Sequence, residues 1–354
     1  MIKKTTVRVA FIDVGQGDTI VVSVPETHEA VIIDCIDAEA VISYLEKYDI
    51  RHVRGLILTH LHLDHCKGMM GFIANAKSQL NLICERVFFC HPYVNEKIWQ
   101  RLQNDGDGHS DISPDETSRK RRFKDIRIEI LKWAQSHRDR FKRLTKQVDI
   151  SSLPLPGIIE LVHPWEVDID GLIGKSLNDI SAVLKINGNG TSAILTGDLE
   201  PAGWNCLRKN KTEISGDVLK FPHHGAWKDS NPEDLLNTIS PSVVVVSVGT
   251  DGDRYNHPNP HVFKTLNNHP DIRVLCTQAT SQCIGEIDLK QKNLIKRFKQ
   301  YCSETDAFFV EQKGCPCAGT IIIELGDSLK ILQPNIEFHK DQIIKSYFHT
   351  PKCC

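Results

Sequence analysis

Apolar runs that each stop at a chemically active polar residue recur along this chain. Ala30-Val31-Ile32-Ile33 stops at Asp34, and Gly55-Leu56-Ile57-Leu58-Thr59 runs into His60-Leu61-His62-Leu63-Asp64-His65. Ala193-Ile194-Leu195-Thr196-Gly197 stops at Asp198, and Val218-Leu219-Lys220-Phe221-Pro222 stops at His223-His224-Gly225. Short continuous apolar runs predict strands buried on both faces, as in parallel sheets covered by helices. Val243-Val244-Val245-Val246-Ser247-Val248 predicts another such strand, and Thr320-Ile321-Ile322-Ile323-Glu324-Leu325 one that adds to the second sheet. A different pattern predicts a helix within residues 118–146. There Ile126, Ile130, Trp133 and Phe141 form an apolar stripe suited to docking on the body.

The polar endings carry the chemistry, because α/β folds assemble their sites at the carboxyl ends of strands. His60, His62, Asp64 and His65 place four metal-binding side chains within one short turn, and neutral imidazoles with a carboxylate suit Zn²⁺ or a similar divalent ion. His60 and His62 share one side of an extended segment, whereas Asp64 and His65 project differently, which suits a second ion beside the first. The plainer reading is a polar surface turn with three histidines. Three other strands ending in Asp34, Asp198 and the pair His223-His224 weigh against it. Asp198 is of the type that bridges two cations, and Asp34 is placed to hold a ligand histidine from behind.

Taken together, these segments resemble the metallo-β-lactamase-fold hydrolases, and within them the ComEC-like branch, the soluble hydrolase domain of competence proteins and its free-standing relatives. The resemblance rests on Phe11-Ile12-Asp13-Val14-Gly15-Gln16-Gly17-Asp18, Ile33-Asp34, His60 to His65 and Asn178-Asp179-Ile180-Ser181. It continues through Leu195-Thr196-Gly197-Asp198, Pro222-His223-His224-Gly225 and Asn256-His257-Pro258. It implies an αββα four-layer sandwich, a metal site at the sheet edges and, usually, hydrolysis of a phosphodiester. By this resemblance His60 and His62 hold a first ion, Asp64, His65 and His224 a second, and Asp198 is shared. Most members carry a histidine at the place that Asn178 occupies here; the ComEC-like branch has asparagine there too. An Asn carbonyl is a harder and weaker donor than imidazole. Occupancy of the first site, and the choice among Zn²⁺, Mn²⁺ and Mg²⁺, are therefore open. His163 is not expected to substitute.

Two bound divalent ions roughly 3.5–4 Å apart would make hydroxide available near neutral pH and neutralise phosphate oxygens. Asp64 is a candidate proton acceptor as well as a ligand. His257 is a candidate donor to the leaving group, or else a turn histidine that only packs. His223 reads as a contact to substrate or to a ligand. Lys67 is a candidate phosphate contact, with a solvated surface lysine as the alternative. Residues 118–146 hold twelve Lys or Arg against three Asp or Glu, a local charge near +9 on a chain of net −2. That contrast favours Arg119, Lys120, Arg121 and Arg122 as guides for a nucleic-acid backbone, the alternative being a solvated helix face.

Length and composition expect one globular domain, residues 1–354, with a basic helical insertion at about 95–150 and a C-terminal extension, about 265–354, packed on the core. An apolar content of 40% and a net charge of −2 imply neither disorder nor binding of polyanions over the whole surface. No apolar run reaches membrane-spanning length and the start lacks a signal-peptide core, so a cytoplasmic enzyme with no membrane partner is expected. Twelve scattered cysteines then read as reduced thiols. A structural Zn²⁺ held by Cys315 and Cys317 with two others among Cys276, Cys283, Cys302, Cys353 and Cys354 is the less favoured alternative. The leading function is a nuclease on DNA or RNA. The alternatives are a hydrolase of a small phosphoester or cyclic nucleotide, and a nucleic-acid-binding or regulatory defence component with weak catalysis. Protein partners are not legible in the sequence.

Overall fold

The computed structural model of the protein describes residues 5–90, 114–146, 153–173, 176–210, 213–227, 231–250, 257–280, 283, 288–312 and 314–345. The chain opens with an antiparallel meander of β1 (Val7–Phe11), β2 (Ile20–Val24) and β3 (Glu29–Ile33). Helix α1 (Ala38–Lys47) starts where the Asp37 carboxylate accepts from the Ala40 N–H, the usual way to satisfy a free helix donor. It leads to β4 (His52–Leu58), parallel to β3. A one-turn helix α2 (Leu63–Cys66) and α3 (Met69–Leu80) precede β5 (Val87–Phe89). Helix α4 (Pro114–Ser136) precedes β6 (Phe141–Arg143), which continues the parallel run.

The second sheet is built by β7 (Ile159–His163), then α5 (Glu166–Ile173), β8 (Val183–Asn187) and β9 (Ser192–Leu195). It continues with α6 (Pro201–Lys209), β10 (Val218–Lys220), α7 (Pro232–Ile239) and β11 (Val243–Val246). Helix α8 (Pro260–Asn267) and β12 (Arg273–Cys276) complete it. Helix α9 (Asp288–Thr305) then precedes β13 (Ile321–Leu325) and β14 (Lys330–Gln333). Among the described residues the strands form an eight-stranded sheet, β14-β13-β1-β2-β3-β4-β5-β6, and a six-stranded sheet, β12-β11-β10-β9-β8-β7.

The two-residue period of a strand sorts the apolar runs into layers. Val31 and Ile33 share the interior between the sheets with Phe11, Val22, Leu184 and Val245. Ile32, between them, faces the other way and packs with Val41, Leu45 and Phe72 from α1 and α3. Val244 and Val246 likewise meet Leu235, Val262 and Phe298 from α7, α8 and α9. Both faces of both sheets are therefore covered, and the order of layers is helix, sheet, sheet, helix. Each large apolar side chain so buried contributes about 1.5–3 kcal/mol, which makes register shifts costly. Polar residues are left the strand ends, where the site forms.

Two expectations change. Thr320 to Leu325 does not extend the second sheet: β13 pairs antiparallel with β1 in the first, Ile323 opposite Val9. Ile321, Ile323 and Leu325 join Val9 and Phe11 in the inter-sheet core, so the tail closes an edge that β1 would otherwise expose. The insertion is not helical alone, since Phe141–Arg143 returns as strand β6 beside β5. Its apolar stripe does dock as expected: Ile130 and Trp133 are buried, with Ile126 and Phe141 packed beside them. Part of its charge serves that packing. Arg140 bonds the Cys84 carbonyl and lies over the Trp133 ring, Arg143 pairs with Glu166, and Lys146 lies over Trp165. The backbone of Arg119 to Arg122 is helical; their side chains, and residues 91–113 and 147–152, lie outside the described residues.

Candidate metal centre

Five strand ends converge at the carboxyl edge of the two sheets. Asp18 enters from the turn before β2, Asp34 follows β3, and His60, His62, Asp64 and His65 follow β4. Asp198 follows β9, and His224 follows β10. The turns are set by close backbone approaches. At Gly17 the φ of +123° excludes most side chains, and a Cβ there would lie 2.3 Å from the Asp64 carbonyl. That approach lets the Asp18 N–H bond to Asp64 O at 2.9 Å, joining the first motif to the histidine motif. At Gly197, φ +50°, a Cβ would lie 2.9 Å from Thr59 Cβ. The missing side chain brings Asp198 against the end of β4.

Around Asp198 the histidines point inward. His65 Nε2 is 3.1 Å and His60 Nε2 3.9 Å from Asp198 Oδ2, and His224 Nε2 is 3.5 Å from Asp198 Oδ1. His224 Nε2 is also 3.5 Å from Asp64 Oδ2, and His60 Nε2 is 2.9 Å from His62 Nδ1. The far edge of each buried ring is already engaged. His224 Nδ1 donates to the Ser247 carbonyl at 2.8 Å, and His65 Nδ1 to Asp34 Oδ2 at 2.7 Å. Thr59 donates its one hydroxyl proton to Asp34 Oδ2 at 2.7 Å, so towards His60 Nδ1, at 3.2 Å, it acts only as an acceptor. All three imidazoles thus engage Nδ1 and turn Nε2 into the centre, where it offers a lone pair once the ring is neutral. His65 Nε2, His224 Nε2 and Asp198 Oδ1 are buried without a hydrogen bond. Lone pairs and carboxylate oxygens facing one another in a dry pocket repel unless a proton or cation lies among them.

Electrostatics follow from burial set against charge. Burial, with the neighbouring His65 and His62, holds the His60 imidazole well below its ordinary pKa, so it is neutral. For His65 burial is outweighed by Asp198 and Asp34, and its pKa stands well above the ordinary value. Burial of Asp198 is in turn outweighed by His224 and His65, which keep it ionised. Asp64, whose side chain is 38% exposed, and His223, 24% exposed, form the mouth.

The profile of the metallo-beta-lactamase superfamily matches residues 12–78, which hold Asp18, Asp34 and the whole histidine motif. This chain has the metallo-β-lactamase fold. ComE operon protein 3 of Bacillus subtilis (strain 168) is 26% identical over 312 residues, 83% of this chain and 34% of that protein. Competence protein ComA of Neisseria gonorrhoeae is 33% identical over 101 residues, 28% of this chain and 14% of that protein. The chain thus spans about a third or less of the length of these curated relatives. Among solved structures, the metallo-beta-lactamase fold protein YhfI of Bacillus subtilis aligns at a TM-score of 0.40 and 10% identity, covering 76% of this chain and 96% of its own. A metallo-beta-lactamase of Staphylococcus aureus subsp. aureus COL aligns at 0.27 and 13% identity, covering 73% and 51%.

Within this metallo-β-lactamase fold, Asp18, His65, Asp198 and His224 each offer an atom within 4.8 Å of one another, the spacing a cation needs; this is the one such group among the described residues. Asp18 differs from the rest. Its carboxylate lies 3.7 Å from His65 Nδ1 and 3.9 Å from His224 Nδ1, the edges already engaged, so it backs the rings. Its role, like those of Lys220 and Glu200, was not anticipated. Glu200 accepts from Asn178 Nδ2 at 3.0 Å and lies 3.2 Å from His223 Nδ1. Buried Asn178 keeps its Oδ1 without a hydrogen bond. His223 Nε2 reaches to 3.8 Å of Asp198 Oδ2, and the His257 ring lies 5.5 Å from that of His223. Lys67 is exposed at the end of the α2 turn, outside the buried cluster.

The alternative Zn²⁺ site at the tail cysteines is not formed among the described residues. Cys276, Cys283, Cys302, Cys315 and Cys317 form no disulfide and are buried in the apolar layer under α9, where Cys317 Sγ lies 3.3 Å from His339 Nε2, and burial pushes the Cys302 and Cys315 thiols up to about 12. A thiol so held is a poor source of the thiolate that zinc requires. Cys353 and Cys354 lie outside the described residues. His163 binds the Asp179 carbonyl at 2.9 Å through Nε2 and has no part in the centre.

Proposed function

We propose that this chain is a metal-dependent phosphodiesterase whose substrate is DNA or RNA. The observation that carries the reading is the convergence of three Nε2 atoms on Asp198, each ring fixed by a bond from Nδ1. His60, His62, His65, Asp64, Asp198 and His224 would hold one or two divalent ions. When bound, these supply Lewis acidity and lower the pKa of water to roughly 7. Asp34, Thr59 and the Ser247 carbonyl orient the rings. Against the cost of desolvation, His224 and His65 hold the Asp64 carboxyl well below the usual carboxylate range, so Asp64 would serve as an ionised ligand rather than a proton acceptor, while His257 and His223 would position or protonate the leaving oxygen. The likeness to competence proteins and the basic insertion support a polynucleotide as substrate; the fold alone would equally suit a small phosphoester.

The test is an assay with Mn²⁺, Mg²⁺ or Zn²⁺ on single- and double-stranded DNA, RNA and bis-nitrophenyl phosphate, beside a His62→Ala, Asp64→Ala double variant. We expect polymer cleavage that the variant loses by at least about 100-fold. Cleavage of the small ester alone would assign a small substrate. Nucleic-acid binding without any hydrolysis would assign a regulatory role.

A further inference from the structure

Lys220 is the last residue of β10, and Val218 and Leu219 before it are apolar core residues. Its side chain is wholly buried between the sheets, beneath the metal centre. The ammonium donates to the Gly197 carbonyl at 2.8 Å, pairs with Asp18 Oδ2, and lies 3.6 Å from Asp198 Oδ1. Burying an ammonium costs several kcal/mol unless it is well paired, so a strand needing only core packing would be better served by Leu or Met. What the lysine does supply is a permanent positive charge on one side of the carboxylate that two ions would have to share.

The two oxygens of Asp198 have different neighbours. Oδ2 faces His60, His65 and His223, whereas Oδ1 faces His224 and Lys220. A cation on the Oδ2 side has imidazoles around it. A cation between Oδ1, His224 and Asp64 has the ammonium as a neighbour, and like charges at such range repel strongly where water is excluded. We infer that Lys220 is a built-in cation that makes the centre asymmetric, holding one divalent ion tightly on the Oδ2 side and weakening a second on the His224 side. The inference rests on reading the site as a metal centre. Its sign separates it from a merely structural role: losing a structural lysine weakens metal binding, whereas losing a competing charge strengthens it.

Three proteins decide the matter: the wild type, Lys220→Met and Lys220→Gln. The glutamine keeps an N–H for the Gly197 carbonyl while removing the charge, so it serves if the methionine variant does not fold. Each is dialysed to equilibrium against a series of free Mn²⁺ concentrations, bound metal is counted by elemental analysis, and folding is checked by circular dichroism. We expect about one ion per wild-type chain where the variants hold about two, the second binding at least about ten-fold more tightly than in the wild type. Equal or fewer ions in both folded variants, or two equally tight ions in the wild type, would overturn the role of Lys220. A wild type that binds no Mn²⁺, Zn²⁺ or Mg²⁺ at all would instead overturn the metal-centre reading beneath it.

Discussion

Asp34 sits in the left-handed region at φ 56°, a conformation that aspartate tolerates better than most residues. The turn aims its carboxylate back at the end of β4. There it accepts from the Thr59 N–H at 2.7 Å, from the Thr59 hydroxyl and from His65 Nδ1. One side chain therefore fixes the tautomer of His65 directly and that of His60 through Thr59. Replacing Asp34 by Asn puts an N–H where one of these donors needs an acceptor. Mn²⁺ affinity of Asp34→Asn, measured by titration calorimetry on a protein of unchanged circular dichroism, is expected to fall about 10–100-fold. Unchanged affinity would remove Asp34 from the account. Asp13 tests a different consequence of burial. It accepts from Gly15 N and from Gln278 Nε2, yet burial dominates and pushes its carboxyl up to about 7. Between its unfolded pKa near 3.8 and about 7 the folded chain binds the extra proton. Asp13 then contributes stability that is complete at low pH and is lost as pH rises through neutrality. The unfolding free energy of the wild type relative to Asp13→Asn, measured by denaturant titration, should drop between pH 5 and pH 8 by on the order of a few kcal/mol. A difference independent of pH would show that Asp13 titrates normally.

At the scale of elements, strands buried on both faces were legible because their apolar runs have no polar gap. Leu56, Ile57 and Leu58 read as strand for the same reason that they bury alternately on the two faces of the sheet. The placement of β13 was not legible. Ile321, Ile322 and Ile323 are equally suited to either sheet, and only the open edge of β1 selects among them. The insertion was half legible. Its stripe of Ile126, Ile130 and Trp133 marks a docked helix, but β6 is three residues long, Phe141–Arg143, and its pairing with β5 leaves no pattern in so short a run.

Across the whole molecule, charge is segregated: net −2 overall, but near +9 over residues 118–146. Packing absorbs Arg140, Arg143 and Lys146, and Arg127 is buried; of the basic residues left, Arg119 to Arg122 form the densest run and are the candidates for polymer binding. Neutralising those four residues should weaken cleavage of DNA or RNA, increasingly so at low salt, and leave turnover of bis-nitrophenyl phosphate within about two-fold. Equal loss on both substrates would assign the cluster to stability. Among the described residues no helix is long and apolar enough to cross a membrane.

The sequence by itself determined the αββα layering and offered a set of candidate donors, because burial on two faces and ligand chemistry are both properties of local composition. His60, His62, Asp64, His65, Asp198 and His224 could be named from short segments for that reason. The tertiary structure alone decided what lies behind them. Asp18, Glu200 and the Ser247 carbonyl acquire roles only through neighbours tens or hundreds of residues away in sequence. Lys220 lies within an apolar run of the sequence, and only the meeting of five strand ends turned it into a charge beneath the candidate metal centre.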